Sequence, residues 1–193
     1  MAEVSIFNVD QFKAALAGGG VRANQFFVRL HYPPGIVPIG AGEQTITGQG
    51  SDFLVSATTL PGSVINPTIV PYRGREVKFA GERVFQPWSI TVLNDASFSI
   101  RNAMEEWMNS MNNLIDGRGN MTPSLYQTDL FVTQLNRDSA PLKEYKIVNA
   151  FPIDISDIAL SFGDNDTIET FTVTFQYQHF ETGYKPLAGA NSQ

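Results

Sequence analysis

Thr170-Phe171-Thr172-Val173-Thr174-Phe175-Gln176-Tyr177-Gln178 alternates polar and apolar residues without a break. Successive side chains on a strand point to opposite sides, so Phe171, Val173, Phe175 and Tyr177 must share one face. Thr170, Thr172, Thr174, Gln176 and Gln178 are forced onto the other face. Such a pattern belongs to an antiparallel sheet with one side covered by a core and the other polar. Gly163-Asp164-Asn165-Asp166, just upstream, reads as a turn that joins this strand to a partner at 158–162.

Further strands follow on moving away from this segment. Residues 85–93 place Trp88, Ile90 and Val92 opposite Ser89 and Thr91, and 126–135 and 145–151 are also strand-like. Residues 24–32 alternate, with Phe26, Val28, Leu30 and Tyr32 expected inside. Residues 53–60 form another strand, closed by a turn at Pro61-Gly62. Residues 69–78 contain Pro71 and Gly74, which disfavour a central strand and favour an edge or an exposed arm tipped by Tyr72, Arg73, Gly74, Arg75 and Glu76.

One long helix interrupts the strands. Asn94, Asp95 and Ser97 are competent caps, and Ile100, Met104, Trp107, Met108, Met111, Leu114 and Ile115 follow at three- and four-residue spacing. Gly117 is placed to terminate it. The polar side carries Glu105, Asn109 and Asn112. A short helix precedes everything, with Asn8 as cap, Gln11 three residues on, and Val9, Phe12 and Leu16 on one side. Being so short, it must dock on something. Residues 33–52 read as a loop insertion and 182–193 as a loosely held tail. The expected fold is α+β and β-dominated: one domain over 1–193, antiparallel sandwich or barrel-like sheets, one long helix and one short N-terminal helix.

The 193 residues are 42% hydrophobic, enough for a core, and contain no cysteine, which excludes disulfides, thiolate metal sites and thiol nucleophiles. The net charge of −6 disfavours nucleic-acid binding through a basic face. No apolar run is long enough to span a membrane as a helix, and residues 1–10 lack the marks of a secretory signal, as expected for a protein assembled in a cytoplasm.

Residues that could carry chemistry mostly have a plainer reading. His31 and His179 lie in strands without metal-ligand spacing. Neither Gly18-Gly19-Gly20 nor Gly48-Gln49-Gly50 opens a helix after a strand as phosphate loops do. Asp154, Asp157, Asp164, Asp166 and Glu169 could serve a carboxylate hydrolase or hold a cation, but Asp164 and Asp166 sit where a turn favours aspartate anyway. No catalytic, cofactor or metal site is expected.

Several ordered segments resemble one family. Ala57-Thr-Thr-Leu-Pro-Gly62 is followed by Val70-Pro-Tyr-Arg-Gly-Arg-Glu-Val-Lys-Phe-Ala-Gly-Glu-Arg83 and by Phe85-Gln-Pro-Trp-Ser-Ile-Thr-Val-Leu-Asn-Asp95. A helix with an internal Trp107 comes next, then Phe151-Pro152 and Asp166-Thr-Ile-Glu-Thr-Phe-Thr-Val-Thr-Phe175. Together they resemble the tail tube proteins of T4-like and related contractile bacteriophages, weakly over 5–30 and well over 53–181. The segment before Asp52 is longer than the family's first hairpin, and the chain runs on past the family's usual end.

The resemblance implies a virion structural protein. Its sheets would close a hexameric inner β-barrel, and its stacked rings would conduct DNA during ejection. It places the 72–76 arm between rings and the helix outside, with Glu105, Asn109 and Asn112 toward a tail sheath. Baseplate and tail terminator proteins would be further partners. In a closed ring Thr170, Thr172, Thr174 and Gln176 would line the bore; in a monomeric sandwich they would simply be solvated. A tube passing protein cargo in an injection or type VI secretion-like machine is the nearest alternative. A carbohydrate-binding module, like the hydrolase, belongs to a different class.

Overall fold

A computed structural model describes residues 9–15, 20–36, 54–163 and 165–184. The elements in order are α1 (Val9–Ala15), β1 (Phe26–Arg29), β2 (Val55–Thr58), β3 (Ser63–Tyr72), β4 (Arg75–Phe85), β5 (Trp88–Leu93), α2 (Ser99–Met111), a 3-10 turn (Pro123–Leu125), β6 (Thr128–Leu135), β7 (Pro141–Ile155), β8 (Thr170–Gln176) and β9 (His179–Tyr184). Seven strands form one antiparallel sheet in the order β1-β6-β7-β8-β5-β2, with β9 also on β7. Among the described residues β3 and β4 pair only with each other.

The expected β-dominated α+β fold is the one observed. Its pivot is β7, eight residues longer than the strand read from the sequence at 145–151. Lys143 to Val148 pair with β9, and Phe151 to Ile155 pair with β8. At the changeover Asn149 takes a left-handed φ of 55°, which asparagine tolerates better than most residues. Its amide donates to Asp129 Oδ1 at 3.0 Å, and the same carboxylate meets Lys146 Nζ at 2.9 Å. Partial burial raises the Asp129 pKa, but the bonds from Lys146 and Asn149 outweigh it and hold the group below its ordinary value.

Both halves of the sheet contribute to one core. Val28, Leu30, Leu130, Val132 and Ile147 come from one half, and Trp88, Ile90, Val92, Phe171, Val173 and Phe175 from the other. The helix α2 adds Ile100, Ala103, Met104 and Trp107. Trp107 meets the rings of Tyr32 and Phe175 at 6.1 Å each and donates its indole N–H to the Tyr126 carbonyl at 2.7 Å. Trp88 likewise donates to the Thr59 carbonyl at 2.7 Å. Both large indoles are thus buried with their one polar group satisfied.

Four expectations change. The helix stops at Met111 rather than continuing through Leu114 and Ile115, which are 92% and 95% exposed. Asparagine side chains end it: Asn109 Oδ1 accepts from the Leu114 amide and Asn113 Oδ1 from the Ile115 amide, in place of the helical carbonyls. Gly117 has the expected positive φ but closes this extra turn, not the helix. At the other end Phe98 holds the N-cap position with a φ of 53°. The capping bond comes from Asp95 three residues earlier, which accepts from the Ser99 amide at 2.9 Å and from the Ser97 hydroxyl.

Residues 158–162 are not a strand, because β8 is already flanked by β5 and β7 and leaves them no edge to join. Residues 182–184, expected in a loosely held tail, belong to β9; residues 185–193 lie outside the described residues, as does 37–53, most of the 33–52 insertion. Finally, Val9 and Phe12 of α1 are exposed, so the docking expected of this helix is not made among the described residues. Asn8 and Leu16 lie outside them.

Candidate functional site

Three surfaces hold the residues singled out from the sequence. The first is the β3–β4 ribbon. Its strands are joined by Arg73-Gly74, with φ of 47° and 82°. Two consecutive positive φ angles make a two-residue turn whose twist matches that of the flanking strands. Tyr72, Arg73, Gly74, Arg75 and Glu76 therefore form the tip, all exposed, with the Arg73 guanidinium 5.5 Å from the Tyr72 ring centroid. The arm read at 69–78 is real but longer, beginning at Ser63 and ending at Phe85. The Arg73-Gly74 pair between two apolar runs was the signal for its full length.

At its base the ribbon is anchored by Phe85, whose ring meets those of Tyr177 and Phe180 at 6.0 and 5.6 Å. Beyond it almost every residue is exposed, including Val70, Tyr72, Val77 and Phe79. A lone two-stranded ribbon is marginally stable in water. Its apolar side chains are left without cover by the rest of the described chain.

The second surface is the polar face of β8 and its neighbours. Phe171, Val173 and Phe175 are buried, while Thr170 is exposed and Thr172, Thr174 and Gln176 are half-buried on the other face. β5 continues the face, pairing Thr91 with Thr172 and Ser89 with Thr174. Two of these hydroxyls bond each other, and hydroxyls of the neighbouring β2 bond the β5 backbone. Ser89 Oγ lies 3.1 Å from Thr174 Oγ1, Thr58 donates to the Ser89 carbonyl, and Ser56 donates to the Thr91 carbonyl. No Lys or Arg stands in these β5 and β8 rows.

The third is the outer side of α2. Glu105 and Asn112 are exposed and Asn109 is half-buried. They line an open groove of about 730 Å³ with Arg101, Met108 and Ile155. Glu105 holds Arg101 at 2.8 Å, and Arg101 also donates to the Ser156 carbonyl and lies over the Phe171 ring. Because the helix packs on the side of β8 that carries Phe171 and Phe175, this groove and the polar face lie on opposite sides of the sheet.

The residues weighed for chemistry do not converge. Asp154, Asp157 and Asp166 are exposed, Glu169 accepts from the Asn94 amide side chain at 2.8 Å, and Asp164 lies outside the described residues. Among the described residues no three His, Asp or Glu side chains are placed to hold a metal ion. His31 stacks edge-on against Phe131 at 5.3 Å, and His179 lies 3.9 Å from Glu181. Gly20 is the one described residue of the two glycine-rich stretches.

The sheet thus has one polar face, α2 on its opposite side and a projecting β3–β4 ribbon. A chain from the anti-feeding prophage baseplate, solved by cryo-EM, has the same fold, with a TM-score of 0.62 at 10% identity over 86% of this chain and 97% of that one. The chain belongs to the phage tail tube protein family, whose model matches residues 21–183. It is 28% identical to the tail tube protein gp19 of Enterobacteria phage T4 over 181 residues, covering 91% of this chain and all of the relative. It is 26% identical to the tail tube protein of Serratia phage KSP90, covering 88% of this chain and 93% of that one.

Proposed function

We propose that this tail tube protein assembles into hexameric rings stacked head to tail, and that the bore passes DNA without binding it. The observation that carries the reading is the uncovered β3–β4 ribbon. An element too small to be stable alone and rich in exposed apolar side chains needs a neighbour. Tyr72, Arg73, Gly74, Arg75 and Glu76 would reach the adjoining ring. Head-to-tail stacking is a heterologous contact and so generates a tube of open length.

The polar face of β8 and β5 is assigned to the bore, with Thr170, Thr172, Thr174 and Gln176 lining it. Joining sheets around a ring removes their free edges. The wall suits a conduit because each phosphate held by a basic side chain would add affinity, and hence drag. Six copies of a chain at net −6 put about −36 on a ring, repulsive to DNA overall.

Glu105, Asn109 and Asn112 then face outward toward a contractile sheath, and the tube ends meet baseplate and terminator proteins. The role is mechanical, in the virion, without catalysis, and assembly takes place in the host cytoplasm. All 193 residues serve this one domain. The test is electron microscopy of the concentrated protein, with a baseplate nucleus if needed: hollow rods with six-fold end views are expected. Only species of about 21 kDa in light scattering under all these conditions would overturn the reading.

A further inference from the structure

The ribbon has two unlike faces, and a register shift near its base decides which is which. Val64 pairs with Val84, Val70 with Val77 and Thr68 with Phe79, so these side chains and Tyr72 share one face. The other face carries Ile65, Pro67, Ile69 and Pro71 opposite Arg83, Ala80, Lys78 and Glu76. Phe85 is on this second face, and it is the residue that packs into the subunit's own core. The Val64–Phe79 face therefore looks away from its own subunit.

Between the pairs Ile65–Arg83 and Pro67–Ala80, β4 takes three steps where β3 takes two. This bulge is needed, because a one-residue slip exchanges the faces of a strand. Without it, Phe85 could not enter the core while Val77 and Phe79 stay beside Val70. Gly81 makes the bulge possible. A Cβ at that position would collide with the Asn66 carbonyl oxygen and lie 2.7 Å from Thr68 Oγ1.

We propose that the arm docks through the Val64–Val70–Tyr72–Val77–Phe79–Val84 face alone, onto a second copy of this chain, with the Gly81 bulge holding that face in line. The inference rests on the reading that the ribbon joins copies. The opposite net charges of arm and body, acting between whole bodies and not through the docking face, support a second copy as the occupant. Residues 63–85 carry four cations and two anions, a net +2 on a chain of net −6, which leaves −8 on the body that would receive it. Size agrees. A ten-residue ribbon is roughly 34 Å long and about 10 Å wide, too small a face for a standalone complex of standard size. It suits a contact repeated many times in an assembly, where each copy both gives and receives an arm.

The absence of cysteine allows a clean test. Val77→Cys and Ile69→Cys are made separately and labelled with a maleimide before and after tube assembly. Val77→Cys is expected to lose labelling at least about tenfold on assembly, as a residue in a water-excluded contact should, and Ile69→Cys to keep it. Gly81→Ala is expected to melt with the wild type yet fail to form tubes, while Gly62→Ala, with open space around it, assembles normally.

Equal protection of both cysteines would overturn the choice of face and leave the arm as a contact between copies. Protection of neither would overturn the reading that the ribbon joins copies at all. Normal tubes from Gly81→Ala, or a melting point lowered along with assembly, would overturn the role given to the bulge.

Discussion

Replacing Trp107 by alanine tests whether α2 is held by the sheet as described. The indole is fully buried, packs against Tyr32 and Phe175, and donates to the Tyr126 carbonyl. Truncating a buried tryptophan removes transfer free energy and leaves a cavity, together worth about 3–5 kcal/mol. The orphaned Tyr126 carbonyl adds about 1 kcal/mol unless water reaches it. For a domain of this size each kcal/mol lowers the melting temperature by about 2–4 °C, so Trp107→Ala should melt about 10–15 °C below wild type. Trp107→Phe keeps most of the volume and loses the hydrogen bond, and should cost about 1–2 kcal/mol. Glu105→Ala, on the exposed side of the same helix, removes only an ion pair with Arg101 and should stay within about 0.5 kcal/mol of wild type. Circular dichroism melts and urea titrations of the three variants supply the comparison. Equal losses from Trp107→Ala and Glu105→Ala would refute the assignment of inner and outer sides.

Arg73→Glu with Arg75→Glu should leave the subunit melt unchanged and reduce tube yield, measured by sedimentation; normal yield would make the tip a solvated turn. Thr172→Arg with Thr174→Arg should permit tubes but slow genome ejection most in low salt, and ejection at the normal rate there would remove this face from the bore. Asp95→Ala should cost about 1 kcal/mol through loss of the α2 cap, read from a urea titration. Partial burial raises the Asp95 pKa, but bonds from Ser97 and Ser99 hold it below the ordinary 3.8. A carboxylate depressed in the folded state stabilises above its unfolded pKa, and that contribution is lost as pH falls through the folded value. The difference between wild type and Asp95→Asn should therefore be constant near neutrality and shrink below about pH 4; a difference that grows on acidification would contradict the cap.

Strict alternation determined much by itself. In 170–178 and 88–92 it fixes which side chains meet the core, because the period of a strand allows no other arrangement. Three- and four-residue spacing through Trp107 did the same for the inner side of α2. The Pro71 and Gly74 punctuation marked an arm, and the ordered motifs from Ala57 to Phe175 carried the family.

Tertiary structure decided what depends on partners and competition. Residues 158–162 have the composition of a strand, but β8, the strand they were expected to join, is already paired on both edges. Leu114 and Ile115 keep helical spacing, yet asparagine side chains capture the amides that would have continued the helix. β7 lengthened because two successive neighbours line one of its edges, which no local window of sequence records. The inward and outward faces of the ribbon turn on one extra residue at a bulge, set by how close Gly81 comes to Asn66 across the strand pair. Periodicity is a property of the chain alone, whereas edges, capture and close approach exist only once distant segments meet.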